Sequence, residues 1–273
     1  MNEFIFRDVH FRDTPYLKRF WQSVFPHSES ALGAFFESYV DIHLCALAQS
    51  PTKLAAMGFL FPVGELIQPD APAVQCALAY AIAVDPEFRG NGLGSQVVQQ
   101  LLQIAEKHRF GALVVRPEGA ELFEFYEKCG LQGSFGFTEK VVNVGALPAS
   151  GATLVRLEVE DYRLRREALL LGTAHVAFDR RAVLFQSRLL GDGGLFAVVG
   201  ADGAELGVAA VELDGGALTA KELLLGCEAD ADAAVRAIAD EFGCTTITVR
   251  MRGETPFGLS NIAVNGYLGF AFD

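Results

Sequence analysis

The sequence predicts an α/β (α+β) protein of two similarly laid-out domains, each a mixed, mostly antiparallel central sheet flanked by helices. Three observations carry this. At 273 residues the chain is long for one domain and comfortable for two. Stretches that alternate apolar and small or polar residues, the period of a strand, are interleaved with stretches whose apolar residues recur at helical spacing. Leu147–Ala152, small and carrying Pro and Gly, separates two blocks with the same order of elements. These place one domain over residues 1–146 and a second over 152–273.

In the first block, Phe4–Arg12 alternates and reads as a strand, after which Asp13-Thr14 is suited to cap a helix running to about Phe25. A second helix is expected from Ser30 to Tyr39. Phe20, Trp21, Phe25, Phe35, Phe36 and Tyr39 make this pair aromatic. Leu44–Gln49 and Lys53–Val63 read as a hairpin around Ser50-Pro51-Thr52. Next, Cys76, Leu78, Tyr80, Ile82 and Val84 alternate with Gln75, Ala77, Ala79, Ala81 and Ala83, and Asp85-Pro86 stops the strand. Leu93, Val97, Val98, Leu101, Leu102 and Ala105 then form the apolar stripe of a helix with Phe110-Gly111 as its glycine stop. A strand over Ala112–Arg116, a short helix over Glu121–Lys128 and a strand near Ser134–Val144 complete the block.

The second block repeats the layout. Ala152–Val159 reads as a strand, Asp161–Leu171 as a helix, and Leu195–Val199 with Gly207–Leu213 as a hairpin. Leu218–Leu225 is a further strand, Ala231–Phe242 a helix and Thr245–Arg250 a strand. Phe242-Gly243 matches Phe110-Gly111, and Arg250 matches Arg116.

Composition narrows the functional classes. A formal charge of −12 disfavours nucleic acid, whose phosphates call for basic patches, and favours a cationic partner. No apolar run approaches the roughly 18 residues of a membrane span. The start Met1-Asn2-Glu3-Phe4 lacks a basic segment followed by an apolar one, so the expectation is a cytoplasmic protein without membrane attachment, as monomer or homodimer. Five scattered cysteines without C-x-x-C spacing argue against a disulfide framework and a zinc site, and the five histidines form no ligand cluster, so no metal is expected.

The stretch Arg89-Gly90-Asn91-Gly92-Leu93-Gly94 stands out, because an apolar strand runs into it and an amphipathic helix runs out. A helix N-terminus leaves backbone N–H groups unpaired and carries about half a positive charge from its aligned dipoles. Glycines there admit a ligand to the backbone and allow positive φ, Arg89 adds a formal charge, and Ser95 offers a hydroxyl donor. Taken alone, the turn is also compatible with an ordinary strand-to-helix junction bearing a surface arginine. A Walker loop would end in Gly-Lys-Ser/Thr, whereas Gly94-Ser95 lacks the lysine. A dinucleotide fingerprint would have different glycine spacing in the first strand–helix unit.

Ala83-Val84-Asp85-Pro86-Glu87-Phe88-Arg89-Gly90-Asn91-Gly92-Leu93-Gly94-Ser95 resembles motif A of the GNAT acetyltransferases, with Arg89, Gly92 and Gly94 in the places of its Gln/Arg-x-x-Gly-x-Gly/Ala core. Phe125-Tyr126-Glu127-Lys128-Cys129-Gly130-Leu131 resembles the family's later Phe-Tyr-Glu-Lys-x-Gly-Phe segment. The resemblance covers approximately residues 1–145, with the remainder a faded copy. It implies an acetyl-CoA-dependent N-acetyltransferase acting directly on a primary amine of a small molecule or peptide. Arg89, Gly90, Asn91, Gly92, Leu93, Gly94 and Ser95 would hold the pyrophosphate of acetyl-CoA. Ile82, Ala83 and Val84 would offer backbone groups to the pantetheine arm where the motif strand splays from its neighbour, with a backbone N–H near Val84 polarising the thioester carbonyl. Tyr126 would protonate the departing sulfur, its phenol being close enough to a thiol in acidity to need little shift.

The base stays open. The motif strand carries no acid between Val74 and Val84, which leaves Glu65 and Tyr80 as water-holders. Gly119 stands where many relatives carry an asparagine that contacts the cofactor. In the second block, Gly226-Cys227-Glu228-Ala229-Asp230-Ala231-Asp232 replaces the glycine loop with three carboxylates, and Asn265 stands opposite Tyr126, so that block reads as a degenerate copy. Arg180 and Arg181 read as a solvated helix start or as a contact for an anionic part of the acceptor. An acetyl-CoA-binding sensor or assembly module without turnover is the alternative to an enzyme.

Overall fold

The computed structural model describes residues 4–25, 28–39 and 44–272. The opening residues Met1–Glu3 and the side chain of Tyr39, both used above, lie outside the described residues. The chain groups into two compact units: residues 1–66, 72–134 and 258–264 in one, and 67–71, 135–257 and 265–273 in the other.

The first unit opens with β1 (Ile5–Phe6), α1 (Thr14–Val24) and α2 (Glu29–Tyr39), then β2 (Cys45–Gln49), β3 (Leu54–Gln68), β4 (Ala71–Val84), α3 (Leu93–Lys107), β5 (Ala112–Val115) and α4 (Ala120–Lys128). Its sheet runs β1-β2-β3-β4-β5. The pairs β1–β2 and β2–β3 are antiparallel, β4–β5 is parallel, and Leu259 and Ser260 pair antiparallel with Val115 and Val114. A parallel neighbour needs a crossover, and α3 supplies it by laying Leu93, Val97, Val98, Leu101 and Ala105 onto the sheet. Gly58 on β3 makes that approach possible, since a β-carbon there would stand 2.8 Å from Val97 Cγ1 and 3.0 Å from Leu101 Cδ1.

Three expectations for this unit are corrected. The strand over Phe4–Arg12 is confined to Ile5–Phe6, because Phe11–Asp13 turns into a 3-10 segment. Asp13 precedes α1 without capping it through its side chain; its carboxylate instead takes two bonds from Arg7, at 2.8 and 2.9 Å, and one from the His10 N–H at 2.8 Å. The expected glycine stop after α3 is also displaced: Arg109, with φ 63°, makes the left-handed turn. Gly111 is needed for space, a β-carbon there falling 2.8 Å from Val74 Cβ.

The second unit contains β6 (Gln132–Asn143, from Phe135 on), β7 (Thr153–Arg156), α5 (Val159–Leu169), β8 (His175–Phe178), α6 (Arg180–Arg188), β9 (Gly194–Val199), β10 (Glu205–Asp214), β11 (Ala217–Leu225), α7 (Ala231–Phe242), most of β12 (Thr246–Ser260) and β13 (Asn265–Gly266). Its order is β12-β11-β10-β9-β7, antiparallel except for the β11–β12 pair, which α7 crosses. Each unit thus sets a parallel pair beside antiparallel ones. β8 was not anticipated, whereas α6 begins at the helix start read at Arg180 and Arg181; Asp179 starts it by accepting from Ala182 N–H at 2.7 Å.

The second unit also buries a charge. Arg166 and Glu222 are both fully buried and paired at 3.0 Å, with Tyr162 donating to Glu222 at 2.6 Å and Arg166 donating to the carbonyls of Val176 and Leu268. Every polar end is answered, as burial of an ion pair demands. Among the described residues no helix is long and apolar enough to cross a membrane.

Candidate active site

The site is built where β4 outruns its parallel neighbour. The β4–β5 ladder pairs Cys76 with Ala112 and ends at Ala79–Val115, five residues before β4 itself ends at Val84. Just past that point Ala81 has φ 50°, a left-handed conformation that costs a non-glycine residue about 1–2 kcal/mol. This is a bulge, and it turns the end of the strand. Asp85 N–H donates to Ala55 O at 2.9 Å, toward the β3 side. By the alternation of strand backbone groups, Ile82 and Val84 therefore direct theirs to the opposite, open edge. The Ala83 side chain is buried in the core, and Ile82 and Val84 are half-buried.

The turn after β4 is pinned by charge. Lys53 Nζ lies 2.9 Å from both Asp85 and Glu87 and over the Phe88 ring, and Asp85 also accepts the Glu87 N–H. Burial opposes ionisation of Asp85, but the bonds from Lys53 and the Glu87 N–H outweigh it and hold the carboxyl below its usual range. Asn91 Nδ2 donates to Phe88 O at 3.0 Å, folding the loop, and exposed Arg89 keeps Nε 3.4 Å from Val84 O.

Gly90 and Gly92 have φ of 81° and 74°, and Gly92 is the N-cap of α3 with no side chain to occupy its amides. The first helical bond runs from Gln96 N–H to Gly92 O, so the N–H groups of Leu93, Gly94 and Ser95 have no acceptor within the helix. A β-carbon built on Gly90 meets nothing within 4 Å, and one on Gly92 only Gln96 Nε2 at 3.8 Å. The loop is an open cradle of amides at the positive end of a dipole, with Arg89 and the exposed Ser95 hydroxyl at its rim. Leu93 contributes only backbone, its side chain being in the core. A diphosphate fits this donor set.

α4 reaches the same place from the other side. The Phe125 ring would stand 3.2 Å from a β-carbon on Gly94, and Gln99 Nε2 donates to Cys129 O at 2.9 Å, tying α3 to the end of α4. Tyr126, next in sequence, is 7% exposed in the core cluster, edge-on to Phe125, and its hydroxyl has no hydrogen-bond partner among the described residues. Burial pushes its phenol well above the usual tyrosine value, which corrects the expectation of a near-match with a free thiol. The group is a firmly protonated donor.

Glu65 accepts from Gln75 at 2.9 Å, and the Tyr80 ring packs against Trp21, Phe35 and Phe61, so both water-holders have neighbours of their own. Trp21 and Phe35 are buried core residues rather than an open aromatic surface. Cys45, Cys76 and Cys129 are buried thiols, as small hydrophobes are. Arg180 and Arg181 are exposed at the start of α6. Gly119, at φ 89°, precedes α4. Sequence reasoning passed over Ala81, which looks like one more alanine of an alternating strand; its only signal was the small side chain at a place where a bulge is expected.

A family model for the acetyltransferase (GNAT) family matches residues 13–131. Comparison with curated protein sequences returns no match. Among solved structures, a conserved protein of unknown function from Enterococcus faecalis V583, described as a probable N-acyltransferase, superposes with a TM-score of 0.72 at 12% identity, over 95% of this chain and 72% of that one. A GCN5-related N-acetyltransferase from Anabaena variabilis gives 0.71 at 13% identity over 94% and 72%. A putative acetyltransferase from Pyrococcus horikoshii gives 0.57 at 13% identity over 94% and 88%. At such identities the structures speak for the fold, and the family model speaks for residues 13–131, which match the acetyltransferase (GNAT) family.

Proposed function

We propose that this protein is an N-acetyltransferase that moves an acetyl group from acetyl-CoA directly to a primary amine, and that the first unit does the chemistry. The observation that supports it most is the coincidence of a bulged strand that outruns its neighbour with a helix capped by a left-handed glycine. One feature offers a free backbone edge to an amide-bearing arm, the other a row of amides to a diphosphate.

In this reading the amides from Gly90 to Ser95, with Arg89, hold the diphosphate. The open edges of Ile82 and Val84 bond the pantetheine arm, and the Val84 N–H polarises the thioester carbonyl. The neutral amine attacks the carbonyl carbon and gives up a proton to water, the tetrahedral adduct expels the thiolate, and Tyr126 passes its proton to the sulfur and is reprotonated from water. A buried phenol is a weak acid, so that transfer is favourable only to a sulfur desolvated in the same dry site, where a thiolate too is destabilised. The acceptor is a small-molecule or peptide amine, and the chain's net charge of −12 favours a cationic one.

The test is release of free thiol from acetyl-CoA across an unbiased panel of amines. Turnover with any amine that Tyr126→Phe slows by about 100-fold, within the usual range for loss of a general acid, supports the reading. Binding of acetyl-CoA with no turnover on any amine contradicts it and leaves a sensor.

A further inference from the structure

The second unit repeats the architecture of the acyl-donor cleft while discarding its phosphate loop. The parallel β11–β12 ladder pairs Thr219 with Thr248 and Ala220 with Val249 and then ends, as β4–β5 ends at Ala79–Val115. Immediately beyond, β11 bulges: Ala210 faces Glu222 and Val211 faces Ala220, which leaves Lys221 as the extra residue. Gly226 N–H then donates to Leu206 O at 2.9 Å, the counterpart of Asp85 to Ala55. The same alternation applies, so Leu223 and Leu225 turn their backbone N–H and C=O away from β10, toward the edge that β12 has left. There the structure holds a cleft of about 370 Å³, lined by Leu223–Leu225, Met251 and Arg252 of β12, Thr138 and Lys140 of β6, and Glu228 and Ala231 at the start of α7. That is within the range of small-molecule sites.

The charges around the cleft differ from those of the first unit. Glu228, Asp230 and Asp232 stand at the start of α7, where Arg89 and the glycines stand before α3, and they repel a diphosphate. Lys140 and Arg252, both exposed, supply positive charge from the other two strands. Leu223 and Leu225 are about 7 Å apart along the strand, the repeat of an extended chain with about two amide groups.

We propose that this cleft binds an extended secondary-amide chain ending in an anionic group, the amides pairing with the free edge of Leu223 and Leu225 and the anion with Lys140 and Arg252. Two sources share that chemistry: an acidic pantothenate-type amide, and the carboxyl end of a peptide.

Two described methionines separate the units for a test. Met251 lines the cleft, whereas Met57 is fully buried on β3. The full chain labelled with [methyl-13C]methionine, with Met251→Leu to assign the signal, is titrated with pantothenate, with N-acetyl-trialanine free acid, and with acetyl-CoA. Saturable movement of the Met251 signal by pantothenate or the peptide, with Met57 unmoved, is the expected result, and the tighter of the two names the source. Lys140→Glu with Arg252→Glu weakens that binding by about tenfold or more, the worth of a lost charged contact. Silence of Met251 toward both probes overturns the proposal, as does unchanged affinity in the double variant. Saturation of Met251 by acetyl-CoA overturns the exclusion of a diphosphate. Acetyl-CoA binding at the first unit is read separately by its own titration of the Met251→Leu chain, so the failure of either site is distinguishable from failure of the other.

Discussion

Gly92 isolates the phosphate cradle from the fold that carries it. Its φ of 74° means that any L-residue there incurs about 1–2 kcal/mol of backbone cost. Space is no obstacle, because a β-carbon meets only the flexible end of Gln96 at 3.8 Å. Gly92→Ala and Gly92→Glu therefore share the same conformational cost and differ in one charge aimed at the cradle. Two unit charges 4 Å apart repel by about 1 kcal/mol in bulk water and about 4 kcal/mol at the effective dielectric near a protein surface. Against a diphosphate the glutamate thus costs at least about 2 kcal/mol beyond the alanine, which is about 30-fold in dissociation constant. The assay is calorimetric titration of acetyl-CoA into wild type and both variants, with thermal melts of the free proteins. Both variants are expected to melt a few degrees below wild type and close to each other, while the glutamate variant binds at least about 30-fold more weakly than the alanine variant. Equal affinities for the two variants, with equal melts, would refute the placement of the diphosphate.

Other consequences follow from particular contacts. Tyr126→Phe keeps the ring that packs against Phe125, so acetyl-CoA affinity stays while turnover falls by about 100-fold or more. Because burial raises the Tyr126 phenol, its proton stays on through the neutral and mildly alkaline range, and the rate shows no alkaline loss from this group below about pH 10; a limb falling near pH 8 that vanishes in the phenylalanine variant would argue otherwise. Arg7 holds Asp13 at about 2 against a usual 3.8, so the pair's stabilisation is full above about pH 4 and is lost as pH falls toward 2; it is worth about 2 kcal/mol, absent in Asp13→Asn, as acid unfolding curves will read. Glu222→Leu removes the buried partner of Arg166, leaves the guanidinium only half-buried Glu167 at 3.2 Å as a counter-charge, and destabilises by about 3 kcal/mol, read by denaturant unfolding.

How far the chain could be read without coordinates depended on whether local chemistry or distant partners decided each element. The amphipathic stripe of α3 and the alternation of β4 are local, and both elements sit within a few residues of their expected bounds. Phe4–Arg12 alternates too, but the Arg7–Asp13 pair bends it, and an ion pair across six residues leaves no periodic trace. The stop after α3 shows the same limit: Gly111 drew attention as the turn residue, while Arg109 adopts the left-handed turn and Gly111 admits Val74. Arg166 in the middle of α5 meets Glu222 of β11, 56 residues on, and nothing in the local pattern marks that partner. At the site, the glycine loop and the Phe125-Tyr126 segment carry their chemistry in composition. The bulge at Ala81 and the burial of Tyr126 do not, because register and packing set both.

The most direct test of the account is a crystal structure of the full chain with acetyl-CoA. The account predicts one molecule per chain, its diphosphate on the amides between Gly90 and Ser95, its arm along Ile82 and Val84, and its sulfur within reach of the Tyr126 hydroxyl. A diphosphate seated instead among residues 226–232, or away from both helix starts, would contradict it.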